Sequence, residues 1–371
     1  MQRHNIKERP NWVQKVEEIG FIFHSSEGKY WDESACYTFT TDQIEQLERA
    51  TKELFEMCLV AVEKVLAEKR LGEFAIPPQF HALIEQSWHR DDPTLYGRFD
   101  LAFDGKKIKM LEFNADTPTS LLEASVVQWY WLQDYNKNYD QFNSLHEKLL
   151  AQFQYFRSKN IQDMTFSCVE SSQEDYMTTA YLRDCAQQAG LRTDFLDISQ
   201  IGWDGTHFVG LNEQPIRNIF KLYPWEFIFQ EEFSQFLAVS PTKWVEPLWK
   251  SILSNKMLLV VLWEIYPYHP YLLPTKCSPY SMQNYVKKPI LSREGANIDI
   301  VINGSVEALT LGDYGTEGYI YQEYVALPDF DGNRPVIGSW IVGDEPAGIG
   351  IRESNGLIHD NLSRFVPHYF L

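Results

Sequence analysis

The stretch GRFDLAFDGKKIKMLEFNAD, residues 97–116, constrains this chain more than any other. Polar and apolar residues alternate through it, and an Asp-Gly pair interrupts the alternation near its middle. Alternation with period two belongs to a strand with two unlike faces, and Asp-Gly favours a tight reversal. The spacing therefore predicts an antiparallel hairpin. Arg98, Asp100, Glu112 and Asn114 all occupy even positions. They share one face only if the loop has the right parity. An odd loop such as Phe103-Asp104-Gly105 pairs even positions with even ones, and that is the expected arrangement. A two-residue Asp104-Gly105 loop would set Asp100 on the opposite face from Glu112.

Oxygen donors gathered in this way suit a hard cation such as Mg2+, which completes its shell with water and phosphate. Arg98 beside them would pair an anion. The competing reading is a solvated strand face with an Arg98–Glu112 surface pair. Downstream, Asp116 continues the two-residue spacing of Glu112 and Asn114.

Two further stretches bear on anion and nucleotide binding. In YVKKPILSREGANIDIVI a strand ends near Lys288-Pro289, and the polar loop Ser292–Asn297 leads into an apolar strand. A loop with Gly295 and Asn297 can turn backbone N–H groups toward an anion, with Lys288 and Arg293 adding charge. An ordinary hairpin with surface cations is the alternative. A Walker A loop is absent. In GYIYQEYVALPDF a strand runs out into a hinge, where Gln322 or Glu323 could meet the exocyclic amine of an adenine. An amphipathic strand is the plainer reading.

Elsewhere, Ile44, Leu47, Leu54, Met57, Cys58 and Val65 recur at helical spacing after Thr41 and Asp42, either of which can cap a helix. A helix is expected at SLLEASVVQWYWLQDY, its aromatic stripe forming core. DMTFSCVESS, QEDYMTTAYLRDCAQQAG and RTDFLDIS read as strand, helix and strand, a small α/β layer over roughly 160–210. Short helices follow near LYPWEFIFQEEF and PLWKSILSN, and the last third is rich in strands.

Composition narrows the function classes. The formal net charge is −18, which opposes a nucleic-acid partner and mildly favours cationic ligands such as amines. Five widely spaced cysteines without a C-x-x-C motif suit a reducing compartment. The start MQRHNIKERPNW has no apolar segment of the signal type, and no apolar run approaches the ~18 residues of a membrane helix. A cytoplasmic location, with no membrane partner, is expected.

Taken together, GRFDLAF, LEFNADTPTSLLE, LYPWEF, SNKMLLVVLWE, KKPILSREGANI, IYQEYV and VIGSWIVGDEPAGIGIRES resemble the glutathionylspermidine synthase family, in that family's order and over about Trp12 to Phe370. The resemblance implies an α+β, ATP-grasp fold with a small α/β pre-ATP-grasp-like layer. Its lobes would be a metal-site and helical part over about 12–155, the layer at 160–210, and a nucleotide-binding part over about 211–371. It implies ATP-dependent ligation, in which a carboxylate is phosphorylated and an amine attacks the acyl phosphate.

By motif, Asp100, Glu112 and Asn114 match ligands of one or two Mg2+ ions. Lys256 and Lys288 match lysines on ATP phosphates, and Arg293 an arginine on a mobile loop over the γ-phosphate. Arg98 matches an arginine that orients the reacting carboxylate or phosphoryl group, and Arg352 a further arginine on the substrate side. Thr117 and Thr119 fall near the acid substrate. Glu170, Glu174 and Asp175 could hold a cationic amine, although a capped helix start accounts for them equally well. An amidase activity is not expected, because the resemblance covers the synthetase part alone. Acid, amine and oligomeric state are left open, as are two alternatives: a nucleotide-binding protein without turnover, and a phosphotransferase acting on the acid alone.

Overall fold

The computed structural model describes residues 1–25, 28–360 and 363–371. Its centre is a five-stranded antiparallel sheet in the order Arg364–Phe365, Glu345–Ser354, Arg334–Val342, Tyr96–Phe103, Ile108–Asn114. The expected hairpin supplies the last two strands. Helix Thr41–Ala67 packs on one face of this sheet, and Ile44, Leu47, Leu54, Met57, Cys58 and Val65 are all buried there, as their spacing predicts. The cap is Thr40, not Thr41 or Asp42. Its side chain accepts from the Gln43 N–H, and Gln43 returns a bond to the Thr40 backbone. Thr51 and Ser339 join helix to sheet through a 2.5 Å hydroxyl contact.

Phe99 and Phe113, at odd positions, face that helix, and toward the loop the even positions Ile108 and Met110 join the same core. Phe99 and Phe113 stack with ring centroids 3.9 Å apart, and Phe55 meets Phe113 edge-on. Arg98, Asp100, Glu112 and Asn114 are thereby turned the other way.

The α/β layer forms as expected from Asp163–Cys168, Gln173–Gln188 and Arg192–Asp197. It is a four-stranded parallel sheet, taking two further strands from Asn218–Leu222 and Lys243–Val245. A second antiparallel sheet has the order Thr275–Lys276, Tyr319–Glu323, Tyr285–Pro289, Asp299–Ile302, Ser305–Leu309. The helix after Pro118 contains a π-helical turn at Glu123–Val127 before Gln128–Asn136. Trp131 is buried as expected of a core stripe, but Trp129 and Tyr130 are exposed. Among the described residues no helix is long and apolar enough to cross a membrane.

Candidate active site

The hairpin reaches the expected facing by a different route. Asp104, Gly105, Lys106 and Lys107 form the loop between the paired residues Phe103 and Ile108, so its length is even, not odd. The Asp104 carboxylate caps it by accepting from the Lys106 and Lys107 N–H groups. Pairing then runs Ala102 to Lys109 and Leu101 to Met110, a register that would set Asp100 against Leu111. A β-bulge at Leu111 adds one residue, and beyond it Asp100 pairs with Glu112 and Arg98 with Asn114. The bulge therefore restores the shared face that the loop alone would have destroyed.

That face is no solvated surface. Arg98 and Asp100 are 5% and 4% exposed. Arg98 pairs with Asp100 at 2.8 Å, not with Glu112. Gly338 lies opposite Asp100 on the neighbouring strand. A Cβ there would stand 2.9 Å from Arg98 Cδ, so the glycine makes room for the guanidinium arm. Arg352 donates to the other Asp100 oxygen at 2.8 Å, and the two arginines thus bracket one carboxylate.

Glu112 sits among cations. Lys256 Nζ is 3.3 Å from its carboxylate, and Asn114 donates to it at 3.2 Å. Burial alone would raise this carboxyl, yet Lys256 and Lys288 hold it down at about 2. Burial pushes the Lys288 ammonium down to about 8, against the pull of Glu112. Lys288 donates to the carbonyl of Leu111, the bulge residue, and to Gln322 Oε1. Asp116, by contrast, is not on the carboxylate face. It lies beyond the strand, fully buried, paired with Lys221 at 2.5 Å and accepting from the Trp225 N–H. It ties the hairpin to the parallel sheet.

Arg293 reaches Glu226 at 2.7 Å and the Thr117 hydroxyl at 2.6 Å. Its loop is closed over the cavity in this structure. Lys256 holds the Ser292 carbonyl, Thr310 holds that of Gly295, and Asn297 donates to Tyr314. These contacts give no support to a mobile Ser292–Asn297 segment. Thr119 accepts from Arg98 through its backbone carbonyl, and its hydroxyl meets Glu174. Burial raises the Glu174 carboxyl, and burial with the Glu174 charge raises that of Asp175 to about 6. Glu170 is exposed and donates its N–H to Asp197.

A single cavity of about 850 Å3 gathers Arg98, Asp100, Glu112, Asn114, Thr117, Thr119, Glu174, Asp175, Lys256, Lys288, Arg293, Gln322, Glu323 and Arg352. Gln322 and Glu323 differ within it. Gln322 is buried, accepting from Lys288 and donating to the Met110 carbonyl. Glu323 is exposed. Glu226, Tyr30 and Glu123 are not singled out by the sequence; only Glu226, beside the Pro-Trp of LYPWEF at the start of a short helix, carried a hint of a role.

Among the described residues no group of three or more His, Cys, Asp or Glu side chains could hold a metal. The candidate set is instead two carboxylates and one amide, Asp100, Glu112 and Asn114. Facing oxygen donors with room beside them fit an ion that keeps water and phosphate in its shell.

A sequence model described as glutathionylspermidine synthase preATP-grasp matches residues 3–371. The chain belongs to this family. Among relatives of this glutathionylspermidine synthase family member, a Haemophilus influenzae protein, to which acid–amine ligase activity has been attributed, is 42% identical over 98% of both chains. The bifunctional glutathionylspermidine synthetase/amidase of Escherichia coli is 29% identical, over 96% of this chain and 63% of its own length. The trypanothione synthetase of Crithidia fasciculata is 27% identical, over 78% of this chain and 49% of its own. The family member described here thus spans about half to two thirds of those two longer relatives.

Proposed function

We propose that this chain is an ATP-dependent ligase with an ATP-grasp fold, joining a carboxylic acid to an amine through an acyl phosphate. The observation that carries the reading is the meeting of two unlike sets in one cavity. Lys256, Lys288 and Arg293 offer positive charge to phosphates, and Asp100, Glu112 and Asn114 offer oxygen donors beside them. ATP brings about four negative charges, and phosphoryl transfer depends mainly on positioning and charge stabilisation.

Asp100, Glu112 and Asn114 would hold Mg2+, which supplies charge neutralisation at the transferring phosphoryl group. Lys256 and Lys288 bind phosphate oxygens. Arg293, now paired with Glu226, exchanges that partner for the γ-phosphate. Arg98 and Arg352 orient the acid carboxylate beside Asp100. Glu323 and the backbone that follows it serve the adenine side. Thr117 and Thr119 face the acid, and Glu174 and Asp175 attract a cationic amine. The named relatives support a glutathione-like peptide acid and a polyamine-like amine. A cytoplasmic location fits the five free cysteines.

The test is ADP release across a panel of peptide acids and amines, with glutathione and spermidine among them. Release that needs both acid and amine supports the ligase. Release with acid alone would make it a phosphotransferase. ATP binding with no release under any pairing would make it a nucleotide-binding protein without turnover.

A further inference from the structure

Glu123 has no part in the roles assigned above. It opens the π-helical turn Glu123–Val127, and such turns concentrate at functional positions. Its side chain is fully buried, with Oε1 accepting a 2.6 Å hydrogen bond from the Tyr30 hydroxyl. Oε2 is buried with no hydrogen-bond partner among the described residues.

Other fully buried glutamates give the contrast. Glu33 is paired with Arg9, Glu246 with Lys250, and Glu353 with Arg3 and Arg364. A buried carboxylate without a cation is costly, so a purely structural position would favour a cation or an uncharged side chain. Tyr30 stands in the cavity wall with Thr119, Ser120 and Glu174, and Glu123 lies behind it. The pair thus links the amine end of the cavity to a half-satisfied carboxyl group.

An amine that enters as an ammonium ion must lose a proton before its nitrogen can attack. We infer that the Tyr30–Glu123 pair receives this proton, the Tyr30 hydroxyl relaying it to Glu123 Oε1. The inference rests on the ligase reading above. The ammonium gives one proton to the Tyr30 oxygen as Tyr30 passes its own to ionised Glu123. The freed nitrogen lone pair forms the C–N bond, and the bond from the acyl carbon to the phosphate oxygen breaks. The second nitrogen proton leaves with the phosphate. Acyl phosphate, ammonium and carboxylate thus become amide, hydrogen phosphate and a protonated Glu123, with charge and hydrogen balanced.

The surrounding charges suit an acceptor. Burial, with the Glu174 charge adding to it, raises the Glu123 carboxyl to about 8, while the Tyr30 hydrogen bond and, more weakly, Arg98 act the other way. This lies between a carboxylic acid in water and an alkylammonium ion. Burial and the Glu123 charge hold the Tyr30 hydroxyl well above its ordinary value, with Arg352 opposing, so Tyr30 relays a proton and does not stay ionised.

The test compares the alkylamine found in the ADP-release screen with hydroxylamine, which is largely neutral at pH 7 and needs no proton acceptor. Glu123→Gln should slow amide formation with the alkylamine by ~10^2-fold or more, the usual worth of general-base assistance. Hydroxamate formation should fall far less. Tyr30→Phe, which removes the relay hydroxyl and keeps the Glu123 side chain, should give the same split. The acid limb of the alkylamine rate–pH profile should flatten in both variants. Equal losses with both amines, or no loss with the alkylamine, would overturn the proton role. A wild-type protein that makes neither product would instead overturn the ligase reading, and this inference with it.

Discussion

Asp100 stands directly opposite Glu112 in the paired strands, and it does so because Leu111 is an extra residue in the register. The consequence reaches past the hairpin, since the carbonyl of that same Leu111 accepts from Lys288. One local irregularity therefore sets both the facing oxygen donors and the anchoring of Lys288. Bulges near functional sites commonly re-aim side chains in this way.

Gly295 has φ +70°, and a Cβ there would lie 2.3 Å from the His359 carbonyl oxygen. The closed loop thus requires glycine at this point. Gly295→Ala should prevent full closure, raising KM for ATP and exposing residues 292–297 to protease even when nucleotide is present. Steady-state kinetics and limited proteolysis check this. Wild-type KM and unchanged cleavage would show that the loop does not act in the closed form.

Gln322→Ala should destabilise the fold without altering nucleotide preference. It strands a Lys288 N–H and the Met110 carbonyl, and such a loss costs roughly 1–3 kcal/mol. Thermal midpoint and the ATP-to-GTP ratio of KM values are the measurements. A changed ratio at an unchanged midpoint would restore Gln322 to the adenine side.

Much of this was legible in the sequence, and the reasons are physical. Period-two and helical patterns located the hairpin, helix Thr41–Ala67 and the start of the parallel layer, because each buries one apolar face. The even positions were readable as a set. The bulge was not, since a single inserted residue leaves the alternation on each side intact. Asp116 kept the spacing of Glu112 and Asn114, but the strand ends at Asn114, and Lys221 lies 105 residues further on. Gln322 likewise found its partners on other strands. Glu123 gave no sign, because an acidic residue in a helical pattern reads as exposed. Strand Asn218–Leu222 is buried on both faces, so it carries no alternation to read.

The stability of the protein should carry the signature of Glu123. Its carboxyl is raised from about 4.5 to about 8, so between those values the folded state binds more protons than the unfolded chain. Stability from this group is present below the lower value and is lost as pH rises through the window. Glu123→Gln should therefore gain thermal midpoint relative to wild type as pH climbs from 5 to 8. Midpoint scans across that range decide it, and parallel curves would place the carboxyl at an ordinary value.

The central claim is that the carboxylate face works with metal and phosphate, and Glu112 tests it most directly. Lys256 and Lys288 both lose their counter-charge in Glu112→Gln, so the free protein should be somewhat less stable. Turnover should fall by ~10^2-fold or more, because metal-assisted charge neutralisation contributes several kcal/mol to the transition state. The decisive measurement is ADP release dependent on both acid and amine, across a Mg2+ titration, on Glu112→Gln preparations shown to be folded by their thermal transition. The account predicts that release is lost or needs far more Mg2+. Release at the wild-type rate with the wild-type Mg2+ dependence would contradict it.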